Sequence, residues 1–181
     1  VLFGTFLIII MFLFVKKVFK SEKAALIASF LVALSPLLIK NTMPEMDIAV
    51  SFFLILSAYF LFGFFESRKN KDFFLFALFI GIGTMIKLYV FFFVLSFIIF
   101  LAYKEYKIEK RPKKIFKKIL ALGVIIFILV IPTFAHNYFL YKDKGFMDFI
   151  FSNTLGIGLE KATEYYSWAA GWGLSGDYKG F

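Results

Sequence analysis

The stretch FFLFALFIGIGTMIKLYVFFFVLSFIIFLAY, residues 73–103, decides the fold, because it can form either one helix or two. As a single helix, its 31 residues would measure about 46 Å at 1.5 Å per residue. That length exceeds the apolar core of a bilayer, which is about 30 Å thick. The alternative is two short helices with a tight turn at Lys87, the one charged residue in the stretch.

The basic segments on either side of this stretch distinguish the two alternatives. Residues 16–23, 66–72 and 104–118 carry net charges of +3, +1 and +6. A turn at Lys87 puts all three segments on one side of a membrane, whereas one long helix moves the most basic segment to the opposite side. Cytoplasmic loops of membrane proteins carry an excess of Lys and Arg. The charge distribution therefore predicts the turn, with the three basic segments in the cytoplasm.

The composition indicates a membrane protein. Hydrophobic residues make up 61% of the 181 residues and charged residues 18%, whereas soluble domains contain about half apolar and a quarter charged residues. Six apolar segments of 14 to 18 residues predict an all-α, multi-pass bundle of about six helices, some of them short for a membrane span. The segments are Val1–Val15, Ala24–Ile39, Ile48–Phe65, Phe73–Ile86, Leu88–Tyr103 and Ile119–Ala135.

Charge and cysteine content exclude other classes of protein. The net charge of +9 would suit a nucleic-acid partner, but the excess lies in the three basic segments and no nucleic-acid motif accompanies it. The absence of Cys excludes a disulfide scaffold and a cysteine-ligated metal site.

The chain is predicted to have two parts. Residues 1–135 form a transmembrane core, and residues 136–181 form an extracytoplasmic segment of short helices and loops. The aromatic residues near the end of the chain suggest an interfacial segment lying on the membrane. The chain begins at Val1 without a basic region before the first apolar run, so we expect an internal piece of a longer protein of the plasma membrane.

Two outer places carry ionisable residues, which are functional candidates near the apolar layer of a membrane protein. Glu45 and Asp47 stand two residues apart just before an apolar segment. Two such carboxylates can bind one divalent cation, Mg or Mn, or orient a nucleophile; the alternative is that Asp47 caps a helix. Lys87, expected at the depth of lipid phosphates, can bind a phosphate; the alternative is a lysine that snorkels to the membrane surface.

A third candidate group, His136-Asn137-Tyr138, follows the predicted helix Ile119–Ala135. His136 is the one histidine of the sequence. These residues could contact a substrate, or they could serve as hydrogen-bonding anchors at the membrane interface.

Together these motifs resemble the C-type (GT-C) glycosyltransferases, and most closely the protein O-mannosyltransferase and aminoarabinose-transferase superfamily. The resemblance covers about residues 1–140 and depends on the order, spacing and sidedness of several motifs. These are Ser35-Pro36 at the end of a helix, Asp47 after a short outer loop, Gly81-x-Gly83 on the helix before Lys87, and Pro132 before His136-Asn137-Tyr138.

The resemblance implies a membrane glycosyltransferase that moves a hexose or pentose from a polyprenyl- or dolichyl-phosphate donor to a hydroxyl of a protein, lipid or glycan. Lys87 would neutralise the phosphate. Asp47, with Glu45, would act in catalysis by holding a metal ion or positioning the substrate, and His136, Asn137 and Tyr138 would contact it. The acidic motif that carries the family's base belongs to an outer loop upstream of Val1, so this piece alone is expected to be inactive.

One further departure from the family pattern and three alternative functions remain. The family often has Arg where Lys40 and Asn41 stand, which leaves its phosphate contacts open. Oligosaccharyltransferase catalytic subunits also carry an acidic pair like Glu45-x-Asp47, but their Trp-Trp-Asp-Tyr-Gly signature is absent. A transporter would show charges deep within spans or inverted repeats, and neither is visible. A membrane assembly module would use its polar residues for topology alone.

Overall fold

The structure is a computed structural model, and it describes residues 2–35, 46–110, 112–148, 151–152, 155–158 and 160–161. Several predicted features lie outside the described residues: Pro36, Lys40, Asn41, the aromatic residues 165–172 and, most important for the site, Glu45.

The described residues form helices without any strand, which confirms the predicted all-α helix bundle. Among them, three helices are long and apolar enough to cross a membrane: α1, α3 from Asp47 onward, and α6. The elements are α1 (Leu2–Phe19), α2 (Glu22–Ala33), α3 (Met46–Ser67), α4 (Asn70–Ile86), a 3-10 helix (Leu88–Val90), α5 (Phe91–Glu109) and α6 (Pro112–Lys144).

The chain turns at Lys87, as predicted. Helix α4 ends at Ile86, and Lys87 has an extended backbone with φ −143° and ψ 121°. Phe76 and Phe97, which lie at nearly equal distances before and after Lys87 in the sequence, contact each other with ring centroids 5.7 Å apart. Arg68 and Glu105, also nearly equidistant from Lys87, form an ion pair. Paired contacts of this kind mean that α4 and α5 run antiparallel as a hairpin.

The three basic segments lie at one end of the helices, which we call the basic end (residues 16–23, 66–72 and 104–118). Lys17 and Lys20 pair with Glu66 at 3.9 and 2.7 Å. Arg68 and Lys118 both pair with Glu105. These ion pairs join the first segment to the second and the second to the third. The side of the membrane that the basic end faces stays a prediction.

Aromatic and branched side chains pack the helices between Val1 and Val130, the first of two compact units. The buried core includes Phe64, Phe76 and Ile80, each at most 1% exposed. At Gly81, a Cβ atom would lie 2.5 Å from Leu129 Cδ1, so α4 and α6 approach closely at this position. Small residues allow such close approach between membrane helices.

Helix α6 continues beyond the end that we predicted. The prediction that it ends at Ala135 is wrong, because the helix runs through Pro132 to Lys144. A proline removes one backbone donor, but membrane helices tolerate this loss when nearby groups satisfy the freed carbonyl. The fall in apolar content after Ala135 therefore does not mark a helix end.

The chain divides into two compact units, Val1–Val130 and Ile131–Phe181. In the second unit, the side chain of Asn137 accepts a hydrogen bond from the Asp148 backbone at 2.7 Å, and the ring of Phe134 contacts Phe151 at 5.8 Å. The predicted division at residue 135 into a transmembrane core and an extracytoplasmic segment stays a prediction.

Candidate functional site

The ends of two helices bring Asp47 and Lys87 together. Asp47 lies in the first turn of α3, and Lys87 directly follows α4. A short connection joins α3 to α4 at the basic end. The start of α3 and the end of α4 therefore lie together at the opposite end of these two helices. Lys87 Nζ donates a hydrogen bond to Asp47 Oδ1 at 2.5 Å. Two residues that sequence analysis treated as separate candidates therefore form one ion pair.

Tyr89 completes the cluster, and sequence analysis did not predict it. Its hydroxyl donates to the same oxygen, Asp47 Oδ1, at 3.0 Å. The ammonium of Lys87 lies 5.7 Å from the centroid of the Tyr89 ring. The Lys-x-Tyr spacing in the turn is the one sequence signal that could have indicated the role of Tyr89. Tyr89 lies in the 3-10 helix that begins directly after Lys87. We call Asp47, Lys87 and Tyr89 the outer cluster, after the side of the membrane that sequence analysis predicts for them.

The outer cluster is open to a ligand. The side chains of Lys87 and Asp47 are 30% and 40% exposed. A partly exposed ion pair contributes only about 0–1 kcal/mol to stability, so stability gives little reason for these charges. An ammonium group has three donors, and of these one serves Asp47 Oδ1. The helix dipole of α3 also favours a carboxylate in its first turn.

The described residues do not by themselves fit a divalent metal ion. No group of three His, Asp or Glu side chains suitable for a metal occurs in the part of the chain that the structure describes. Asp47 Oδ1 already accepts two hydrogen bonds, and the Lys87 ammonium would repel a cation at this place. A metal site would need Glu45, which the structure does not describe, and so the predicted metal stays a prediction.

The third candidate group lies on α6 in the second unit. Asn137 is 3% exposed, and its amide donates to the Thr133 carbonyl at 2.9 Å while its oxygen accepts from the Asp148 backbone. These two bonds account for its burial, since a buried amide needs partners. Tyr138 is 62% exposed, and His136 is also exposed. Substrate contact by this group stays a prediction.

Comparison with known proteins identifies the family. The sequence model of the family described as dolichyl-phosphate-mannose-protein mannosyltransferase matches residues 1–136. No curated protein sequence and no solved structure matches the chain. The match confirms the resemblance to C-type glycosyltransferases, and together with the apolar helices it makes the protein an integral membrane glycosyltransferase. The chain belongs to the dolichyl-phosphate-mannose-protein mannosyltransferase family.

Proposed function

We propose that the protein transfers a sugar from a polyprenyl- or dolichyl-phosphate donor to an acceptor hydroxyl at the outer face of the membrane, with the donor phosphate at Lys87. The observation that carries the proposal is the outer cluster, in which Lys87 is held by Asp47 and Tyr89. Helix α4 has 17 residues and measures about 26 Å. Because this is close to the thickness of the apolar core, about 30 Å, its end would lie near the edge of that core, from which the long Lys87 side chain can reach lipid phosphates.

The role of Lys87 follows from the charge that develops during transfer. As the bond between the sugar and the phosphate oxygen breaks, the bonding electrons stay on the phosphate, which leaves with additional negative charge. An ammonium placed beside that oxygen stabilises the developing charge. Asp47 and Tyr89 would serve as positioning residues, because a displacement of about 1 Å from the productive geometry can cost a hundredfold in rate.

The acceptor and the sugar follow from the family. Its description supports a mannosyl group and a protein acceptor, and the acceptor hydroxyl would lose its proton to a base as it attacks the sugar. The transporter and assembly alternatives lack this support. Glu45 would take part beside Asp47, either in catalysis or as the second ligand of a metal ion.

A transfer assay tests this function. Membranes containing the full-length protein, given dolichyl-phosphate mannose with labelled sugar, should transfer the label to peptides with Ser and Thr. Membranes with the Lys87→Gln variant at equal protein level should transfer much less. Label that appears only on a lipid or glycan acceptor would contradict a protein acceptor, and no transfer at all would contradict the proposed function.

The Asp47→Asn substitution separates positioning from folding. We expect turnover to fall by about a hundredfold, the effect of a displaced catalytic group, while the folded yield changes little, because the partly exposed pair contributes only about 0–1 kcal/mol. Donor affinity should not fall, since the substitution removes a negative charge near the phosphate. Normal turnover with a lower melting temperature would instead assign Asp47 a purely structural role at the start of α3.

Cysteine labelling tests the proposed orientation in the plasma membrane. Cysteines at Lys69 and Lys110 should react with an impermeant thiol reagent only from the cytoplasmic side, and a cysteine at Ser175 only from outside. The sequence contains no native Cys, so the background is clean. If the cysteines at positions 69 and 110 react from outside, the orientation is the reverse of the proposed one, and Lys87 faces the cytoplasm.

A further inference from the structure

The basic end carries far more positive than negative charge, and internal ion pairs cannot neutralise it. Its three segments contain fifteen Lys and Arg but only five Asp and Glu. Two of the acids are already shared, since Glu66 pairs with Lys17 and Lys20, and Glu105 pairs with Arg68 and Lys118. The excess of ten positive charges needs anions from outside the chain.

Backbone conformation gives a second, independent observation at the same end. Lys20, Arg68 and Lys110 have φ angles of 53°, 57° and 49°, and they are the non-glycine residues with positive φ that the described backbone contains. Each directly follows the last residue of a helix: α1, α3 and α5, respectively. Glycine is the usual residue at this position, because a side chain is strained in the left-handed conformation.

All three helices that run toward the basic end therefore place a cation where glycine would fit with less strain. A cation in the last helical turn would also interact favourably with the helix dipole, and it would do so without left-handed strain. At the position beyond that turn, Lys20 and Lys110 are exposed. Arg68 instead lies over the ring of Phe64 and pairs with Glu105, so it fixes the end of its helix.

We propose that the basic end binds the phosphate groups of anionic phospholipids, with the exposed residues Lys20 and Lys110 as its main contacts. Lys20 and Arg68 also pair with Glu66 and Glu105, respectively, so the helix ends are held together beneath the lipid headgroups. This surface is distinct from the outer cluster, which lies at the other end of α4. The inference holds whichever side of the membrane the basic end faces.

The test compares lipids on the purified full chain in an uncharged detergent. Phosphatidylglycerol should raise the melting temperature more than phosphatidylcholine does, and added salt should reduce the difference. Equal stabilisation by the two lipids would overturn the proposal. Equal stabilisation by inorganic phosphate at matched concentration would also overturn it, because a free anion would then suffice.

A pair of glycine substitutions separates charge from backbone strain. In the double variant Lys20→Gly and Lys110→Gly, the melting temperature in detergent alone should change little, because glycine relieves the strain and the exposed Lys20–Glu66 pair that is lost contributes little to stability. The apparent affinity for phosphatidylglycerol should fall roughly thirtyfold, since each Lys near an anionic surface contributes about fivefold. A lower melting temperature in detergent alone, or an unchanged lipid affinity, would contradict the proposal.

Two matched variants complete the experiment. The double variant Lys20→Arg and Lys110→Arg keeps both charges and should keep the affinity for phosphatidylglycerol. The double variant Lys142→Gln and Lys144→Gln removes two charges from the last turn of α6, and it should also keep that affinity. A loss in this second variant equal to that in the glycine variant would show that overall charge, rather than the basic end, attracts the lipid.

Discussion

Replacing Lys87 with Gln should weaken binding of a polyprenyl-phosphate sugar by about ten- to a hundredfold. A hydrogen bond to a charged group contributes roughly 1.5–3 kcal/mol, which corresponds to this loss of affinity. The Lys87→Arg variant should retain part of the binding, because it keeps the charge but changes the position of the donors. Affinity would be measured on the detergent-solubilised full-length protein at fixed ionic strength.

Two controls make this result specific. Lys104 is exposed and lies at the basic end, so Lys104→Gln removes the same charge far from the outer cluster and should leave donor affinity unchanged. The Lys87→Gln substitution alone leaves the Asp47 carboxylate without its lysine. The double variant Lys87→Gln and Asp47→Asn removes that carboxylate as well. If the double variant recovers wild-type affinity, repulsion by Asp47 explains the loss and Lys87 does not bind the phosphate.

Replacing Glu105 with Ala should destabilise the protein more than any other single change at the basic end. The Glu105 side chain is 1% exposed and pairs with both Arg68 and Lys118. Removing one partner of a buried ion pair costs about 3–5 kcal/mol, and here Arg68 and Lys118, whose side chains are only 32% and 24% exposed, would both lose their carboxylate. For a chain of this size the melting temperature should fall by roughly 6–20 °C, as followed by thermal unfolding in an uncharged detergent.

Glu66 provides the matched control for Glu105. Glu66 also forms ion pairs with two lysines, but its side chain is 48% exposed. Exposed ion pairs contribute about 0–1 kcal/mol, so Glu66→Ala should lower the melting temperature by only a few degrees. Equal losses in the two variants would mean that burial does not determine the strength of these pairs.

Charge distribution along the sequence predicted the main feature of the topology. The turn at Lys87 followed from the three basic segments, because the positive-inside rule acts on loops whatever the packing of the helices. The short connection between α3 and α4 at the basic end, rather than this turn, brings Asp47 to Lys87. Asp47 and Lys87 could each be predicted as candidates from their positions, since ionisable residues near the apolar layer are few.

Contacts between helices could not be predicted in the same way. Tyr89 stands 42 residues from its partner Asp47, and Glu105 stands 37 residues from its partner Arg68. A sequence without an alignment does not indicate which helix faces meet. Glu105 in particular lies in a run of lysines that suggests a solvated segment, yet packing buries it. The continuation of α6 past Ala135 was missed because apolar content reports the membrane, whereas a helix satisfies its backbone hydrogen bonds in water as well.

Mapping the donor phosphate on the protein tests the central claim most directly. A polyprenyl-phosphate sugar with a photoreactive group beside the phosphate would be crosslinked to the full-length protein, and the modified peptides would be identified by mass spectrometry. The account predicts modification around Asp47 and residues 87–90, with loss of this modification in Lys87→Gln. Modification confined to the basic end, around Arg68 and residues 104–118, would contradict it.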